Sequence, residues 1–129
     1  MEKKIRILLI DEESDFREII RALLGRSDMD VDFASNPAEG LLRAKENRPD
    51  LILLDINLGQ VNGTEAFIDF KRDPATAGIP IAFLSNMVTP WPGIGESNEV
   101  FAKELGAVAF FDKSKDLAFL PDRIKELCT

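Results

Sequence analysis

Residues 7–10, 51–54 and 81–84 read ILLI, LILL and IAFL, unbroken apolar runs too short for a buried helix. Runs of this kind suit strands covered on both faces, as in a parallel sheet between helices. Between them the period changes. Phe16, Ile19, Ile20, Leu23 and Leu24 recur at helical spacing, with Asp15 expected as the N-cap, Glu18 three residues on and Gly25 as the stop. Met29, Val31 and Phe33 alternate with Asp30 and Asp32, the pattern of a half-exposed strand near a sheet edge. Asn36 before Pro37 is a cap followed by a favoured first helical residue, leading into Ala38, Leu41 and Leu42.

The same alternation continues to the end of the chain. Strands are expected at 5–10, 51–55, 79–85 and 108–111 besides the edge strand. A turn through Gly59 and Gly63 should lead to a helix carrying Ala66, Phe67 and Phe70. The stretch 87–97, with two prolines and two glycines, cannot be a regular helix and is expected to be a loop. A short helix with Val100, Phe101 and Leu105 should stop at Gly106, and Leu117, Leu120, Ile124 and Leu127 mark a last helix. Five strands alternating with five helices predict a doubly wound α/β domain with a five-stranded parallel sheet and helices on both faces. The 129 residues, 45% hydrophobic and without repeats or linkers, are expected to form a single domain over 1–129.

Several function classes fall away on composition. A net charge of −7 opposes binding to nucleic acid or anionic membrane, and no local basic patch offsets it. The single cysteine, Cys128, supports neither a disulfide framework nor a thiolate metal cluster, which suits a reducing, cytoplasmic setting. The N-terminal MEKKIRILLI is cut off by Asp11, Glu12 and Glu13 before it could serve as a signal peptide, and no stretch is long enough to span a bilayer. Without histidine the chain has no Ser-His-Asp triad, no His-bound zinc and no phosphohistidine of its own. It also lacks GxxxxGK[ST].

In such sheets ligands bind beyond the carboxyl ends of the strands. Those ends collect Asp11 and Glu12 after the first strand, Asp55 on the third, Ser85 on the fourth and Lys113 just after the fifth. Converging carboxylates repel unless a cation lies among them. A hard ion such as Mg2+ meets that need with few carboxylates, its own waters and phosphate oxygens, and a lysine opposite supplies a point charge for the same phosphate. Glu13 reads instead as a solvated acid favoured by the N-terminus of the next helix. Trp91, between Pro90 and Pro92, fits either a partner anchor or a cover for the core beneath it.

The segments LLIDEE (8–13), LLDINL (53–58), FLS (83–85) and GAVAFFDK (106–113), at these spacings, resemble the response-regulator receiver domains of two-component signalling over nearly the whole chain. The resemblance implies a flavodoxin-like strand order 2-1-3-4-5. It implies that Asp55 is the phosphoacceptor, taking a phosphoryl group from a sensor histidine kinase or phosphotransfer protein. Mg2+ would be held by Asp11, Glu12, Asp55 and the backbone carbonyl of Asn57. Ser85 would bond the phosphoryl oxygen, Lys113 would neutralise its charge, and Phe110 would be the aromatic whose rotamer reports the switch. The output face would be the fourth helix, fifth strand and fifth helix, meeting a downstream protein or a second copy in a homodimer.

Four departures stand beside the match: Glu12 where aspartate is usual, Gly59 and Ser114 where prolines are common, and a longer segment between Ser85 and Lys113. Ser114 makes a trans peptide the expectation after Lys113. Carboxylate-nucleophile phosphatases carry a second aspartate two residues after the nucleophile, where this chain has Asn57. A signalling phosphoacceptor, at most self-phosphorylating and autodephosphorylating, is therefore expected rather than a turnover enzyme. The rival is a receiver-like interaction module that binds its partner without phosphorylation. Because Thr129 follows the last helix directly, output is expected from another molecule or from sequence outside this chain.

Overall fold

The computed structural model describes residues 4–58, 61–86 and 90–129. The expectations for Gly59 and for 87–89 lie outside these residues.

The main sheet is built from β1 (Arg6–Ile10), β2 (Asp30–Ala34), β3 (Leu51–Asp55), β6 (Ile81–Ser85) and β7 (Ala109–Asp112). Its order is β2-β1-β3-β6-β7 and every pairing is parallel, so the expected 2-1-3-4-5 order holds, counting these five strands alone. Between them run α1 (Ser14–Gly25), α2 (Pro37–Asn47), α3 (Gly63–Arg72) and α4 (Asn98–Leu105), and α5 (Leu120–Leu127) closes the chain. A two-stranded antiparallel ribbon, β4 (Asn57–Leu58) with β5 (Val61–Asn62), lies between β3 and α3 where a simple turn was expected.

The apolar runs read as unbroken because both faces of the sheet are covered. Side chains alternate across a strand, so Leu8, Ile10, Ile52, Leu54 and Phe83 point into one layer, with Ala66, Phe67 and Phe70 of α3 and Ala102 of α4. Ile7, Leu9, Leu51, Leu53 and Leu84 point into the other, with Phe16, Ile20 and Leu24 of α1 and Leu120 and Ile124 of α5. Strand β2 is at the edge, and Val31 and Phe33 are half-buried there, as their alternation suggests.

Local signals were met unevenly. Asn36 caps α2 as expected, its Oδ1 accepting the Glu39 N–H at 2.9 Å with Pro37 in the first turn. Gly106 ends α4 at φ +113°, a left-handed conformation that disfavours side chains with a Cβ. Asp15, however, is not the N-cap of α1. The helix already includes Ser14, because Asp11 Oδ1 accepts the Glu13 N–H at 2.9 Å and sets the chain turning before Asp15 is reached. Gly25 is the last residue of α1, and the left-handed residue that turns the chain is Asp28 at φ 62°. A 3-10 turn, Leu117–Phe119, precedes α5, so the last helical pattern is split between two elements.

Candidate functional site

The site is assembled by the ends of three strands. Asp55 is the last residue of β3, 2% exposed, and Ser85 is the last residue of β6, fully buried. Asp11 follows β1 directly, its N–H bonded to Ala34 O of β2 at 3.0 Å, and its side chain is fully buried. Lys113 follows β7, with its N–H on Ser85 O at 2.8 Å. Each backbone is thus locked by a neighbouring strand before its side chain enters the site.

Lys113 Nζ is the centre of the cluster. It lies 2.6 Å from Asp11 Oδ2, 3.1 Å from Glu13 Oε1 and 3.2 Å from Asp55 Oδ2, and 4.3 Å from the centre of the Phe16 ring. The Asp11 contact is an ion pair without hydrogen-bond direction, which leaves the buried Asp11 Oδ2 with no hydrogen-bond donor. Asp55 Oδ1 accepts the Asn57 N–H at 3.0 Å, turning the chain into the β4–β5 ribbon. Gly63 brings α3 up against this turn: its N–H reaches Ile56 O at 2.6 Å, and a Cβ there would sit 2.3 Å from Asp55 O. Only glycine permits that approach.

Burial dominates the electrostatics. It raises the Asp55 pKa to about 6, helped by the charge of Asp11 and opposed by Lys113. Burial alone would lower Lys113, but its ion pairs with Asp11, Asp55 and Glu13 together hold it above its ordinary value.

The turn after Lys113 is fixed without a proline. Among the described residues no peptide is cis, so Lys113–Ser114 is trans as expected. Asp112 Oδ1 accepts from Ser114 N at 2.8 Å, Ser114 Oγ at 2.6 Å and Lys115 N at 3.1 Å. The Ser114 bonds lead in holding the Asp112 carboxyl below its ordinary pKa. Ser114 thus helps to set the direction of Lys113 by hydrogen bonding.

Asp11, Asp55 and Lys113 are brought together as expected from the sequence, with Ser85 joined to Lys113 through the backbone. Asn57 touches Asp55 through its amide. Phe110 lies apart, half-buried, with its ring 5.7 Å from Trp91. Glu12 is exposed. The third carboxylate of the group is Glu13: ligand oxygens of Asp11, Glu13 and Asp55 all lie within 4.8 Å of one another. The sequence reading left Glu13 in solvent; half-exposed as it is, it reaches inward to Lys113. Three hard oxygen donors, two of them buried, fit a small divalent cation.

Residues 7–125 match the family described as response regulator receiver domain. The chain belongs to this family. Receiver domains are signalling modules of two-component systems, and the fold and acidic pocket seen here agree with that. Among curated proteins, a protein-glutamate methylesterase/protein-glutamine glutaminase of Caldanaerobacter subterraneus subsp. tengcongensis is 35% identical over 115 residues. That match takes in 88% of this chain but 29% of the relative, so the chain spans under a third of that protein's length. Protein PilH of Pseudomonas aeruginosa is 27% identical over 111 residues, 86% of this chain and 87% of PilH. The fold is shared with the chemotaxis protein CheY4 of Vibrio cholerae at a TM-score of 0.80, with 20% identity over 97% of this chain and 99% of that one. No described helix of this receiver is long and apolar enough to cross a membrane.

Proposed function

We propose that residues 1–129 form a single receiver domain that accepts a phosphoryl group on Asp55 from the phosphohistidine of a sensor kinase or phosphotransfer protein. The observation that carries this reading is the buried contact of Lys113 Nζ with Asp55 and Asp11 at the carboxyl edge of the sheet. Asp55 is the nucleophile: a carboxylate oxygen forms a bond to phosphorus as the bond from phosphorus to the histidine nitrogen breaks. The Asn57 N–H holds Oδ1 and leaves Oδ2 toward Lys113, so one oxygen is oriented by the backbone and the other faces the cation. Lys113 then follows the charge onto the phosphoryl oxygens, and the Ser85 hydroxyl bonds one of them.

Asp11, Asp55 and the Asn57 carbonyl are the groups that would hold Mg2+, with Glu12 acting through water and Glu13 as the carboxylate that the structure adds. Bound there, the ion would neutralise the carboxylates and draw charge from the transferring phosphoryl group. The readout is a change at α4, β7 and α5, with Phe110 in its path, for a downstream protein or a second copy. Working in the cytoplasm, the domain is a switch, not a turnover enzyme.

Intact mass after incubation with a small acyl phosphate and Mg2+ tests the reading, with Asp55→Asn and chelated samples as controls. One phosphoryl mass that requires both Asp55 and the metal is expected. No adduct at any time would leave the domain a constitutive interaction module.

A further inference from the structure

Trp91 is the only tryptophan of the chain. Its indole N–H donates to Thr64 Oγ1 at 3.1 Å. Its ring meets Phe83 of β6 at 5.4 Å, Phe101 of α4 at 4.9 Å and Phe110 of β7 at 5.7 Å between centroids. One side chain therefore touches four elements. Thr64 is the second residue of α3, next to Gly63, whose N–H is bonded to the residue after Asp55. The N–H bond thus runs from Trp91 to the start of α3, which Gly63 packs against the residue after Asp55.

A cover for the core needs only the ring, which phenylalanine would supply. The indole adds a donor, and a partly buried N–H requires an acceptor. Thr64 provides it at the one helix start that is packed against Asp55 O and Ile56. On the other side, Phe110 lies against the same indole, so a change of its rotamer alters the packing of Trp91. Trp91 thus lies between the start of α3 and Phe110 of β7.

We propose that Trp91 is a positioning residue: its bond to Thr64 ties it to the start of α3 beside the acceptor, and the bond is released when Asp55 is phosphorylated. This rests on the phosphoacceptor reading of Asp55. In the phosphorylated state the indole leaves Thr64, and Phe101 and Phe110 repack around it at the α4–β7 face. The tie opposes the phosphorylated arrangement, so removing it makes phosphorylation easier.

With one tryptophan, emission reports this contact directly. Wild type, Thr64→Val, Thr64→Ser and Trp91→Phe would be treated with a small acyl phosphate and Mg2+, following adduct by intact mass and, where Trp91 is present, emission, with Mg2+ alone as the blank. Wild-type emission is expected to change in step with the adduct. Thr64→Val should show much of that change before treatment and accept the phosphoryl group about fivefold faster, the factor that one hydrogen bond supplies. Trp91→Phe should be accelerated alike, and Thr64→Ser, which keeps the hydroxyl, should behave as wild type. A stoichiometric adduct with unchanged wild-type emission, or wild-type rates in both Thr64→Val and Trp91→Phe, overturns the tie and leaves Asp55 as acceptor. No adduct in wild type overturns both.

Discussion

Asp55→Asn is expected to stabilise the metal-free domain. Asp55 has a folded-state pKa of about 6 against an ordinary value of 3.8, a difference of about two units. At about 1.4 kcal/mol per unit this corresponds to ~3 kcal/mol. Because the folded value is the higher one, the stabilisation from a neutral Asp55 is complete below pH 3.8 and is lost as pH rises through about 6. Asparagine stays neutral throughout and keeps it. The amide has one acceptor oxygen, however, and Asp55 now serves both the Asn57 N–H and Lys113. One of those bonds is lost, at a cost of about 1 kcal/mol. The net gain above pH 7 is then ~2 kcal/mol, or roughly 5–10 °C in Tm for a domain of this size. Urea unfolding in chelator, wild type beside variant from about pH 8 down to about pH 4.5, measures it. The gap should narrow across the window in which Asp55 takes up its proton. A variant no more stable than wild type near pH 8, or a gap that does not change with pH, would refute the reasoning.

Lys113→Met removes the cation from three carboxylates; in chelator it should cost ~3 kcal/mol in urea unfolding, and Mg2+ should restore part of this. Gly63→Ala drives a Cβ against Asp55 O and should cost ~2–3 kcal/mol while slowing phosphoryl acceptance, read by unfolding and by intact mass. If Asp55 accepts the phosphoryl group as proposed, the attacking group is its ionised carboxylate, so at limiting Mg2+ the initial rate with a small acyl phosphate should fall as pH drops through about 6. Saturating Mg2+ should move that midpoint lower, because a bound cation favours the carboxylate.

The fold was legible where burial was two-sided. Strands covered on both faces need apolar residues at every position, so β1, β3 and β6 stood out, and their carboxyl ends followed with Asp55 and Ser85 on them. What could not be read depended on contacts without a local period. Asn57–Leu58 and Val61–Asn62 are too short to show alternation, so the ribbon was taken for a turn. Asp15 failed as a cap because the Asp11 carboxylate, acting on the Glu13 N–H, starts α1 earlier. Glu13 is exposed, as expected, but its contact with Lys113 was missed for a related reason. Its partner Lys113 is 100 positions away. The available signal was the acid two residues after Asp11: a turn closed by Asp11 Oδ1 faces Glu13 toward the same rim.

The position of Lys113 bears on why this rim holds so many acids. With Asp55 ionised, three carboxylates face one ammonium, and burial first, then the charge of Asp11, raises the Asp55 pKa against the opposing pull of Lys113. The strands that carry Asp11 and Asp55 hold these carboxylates close to one another. A divalent cation bound there would balance part of that charge and stabilise the fold by mass action. Glu13 is the member of the group whose side chain is exposed. Asp11 and Asp55 are fixed by burial and by bonds to their own turns. The group thus combines two buried carboxylates, each bonded to its own turn, with one exposed carboxylate that shares the same lysine.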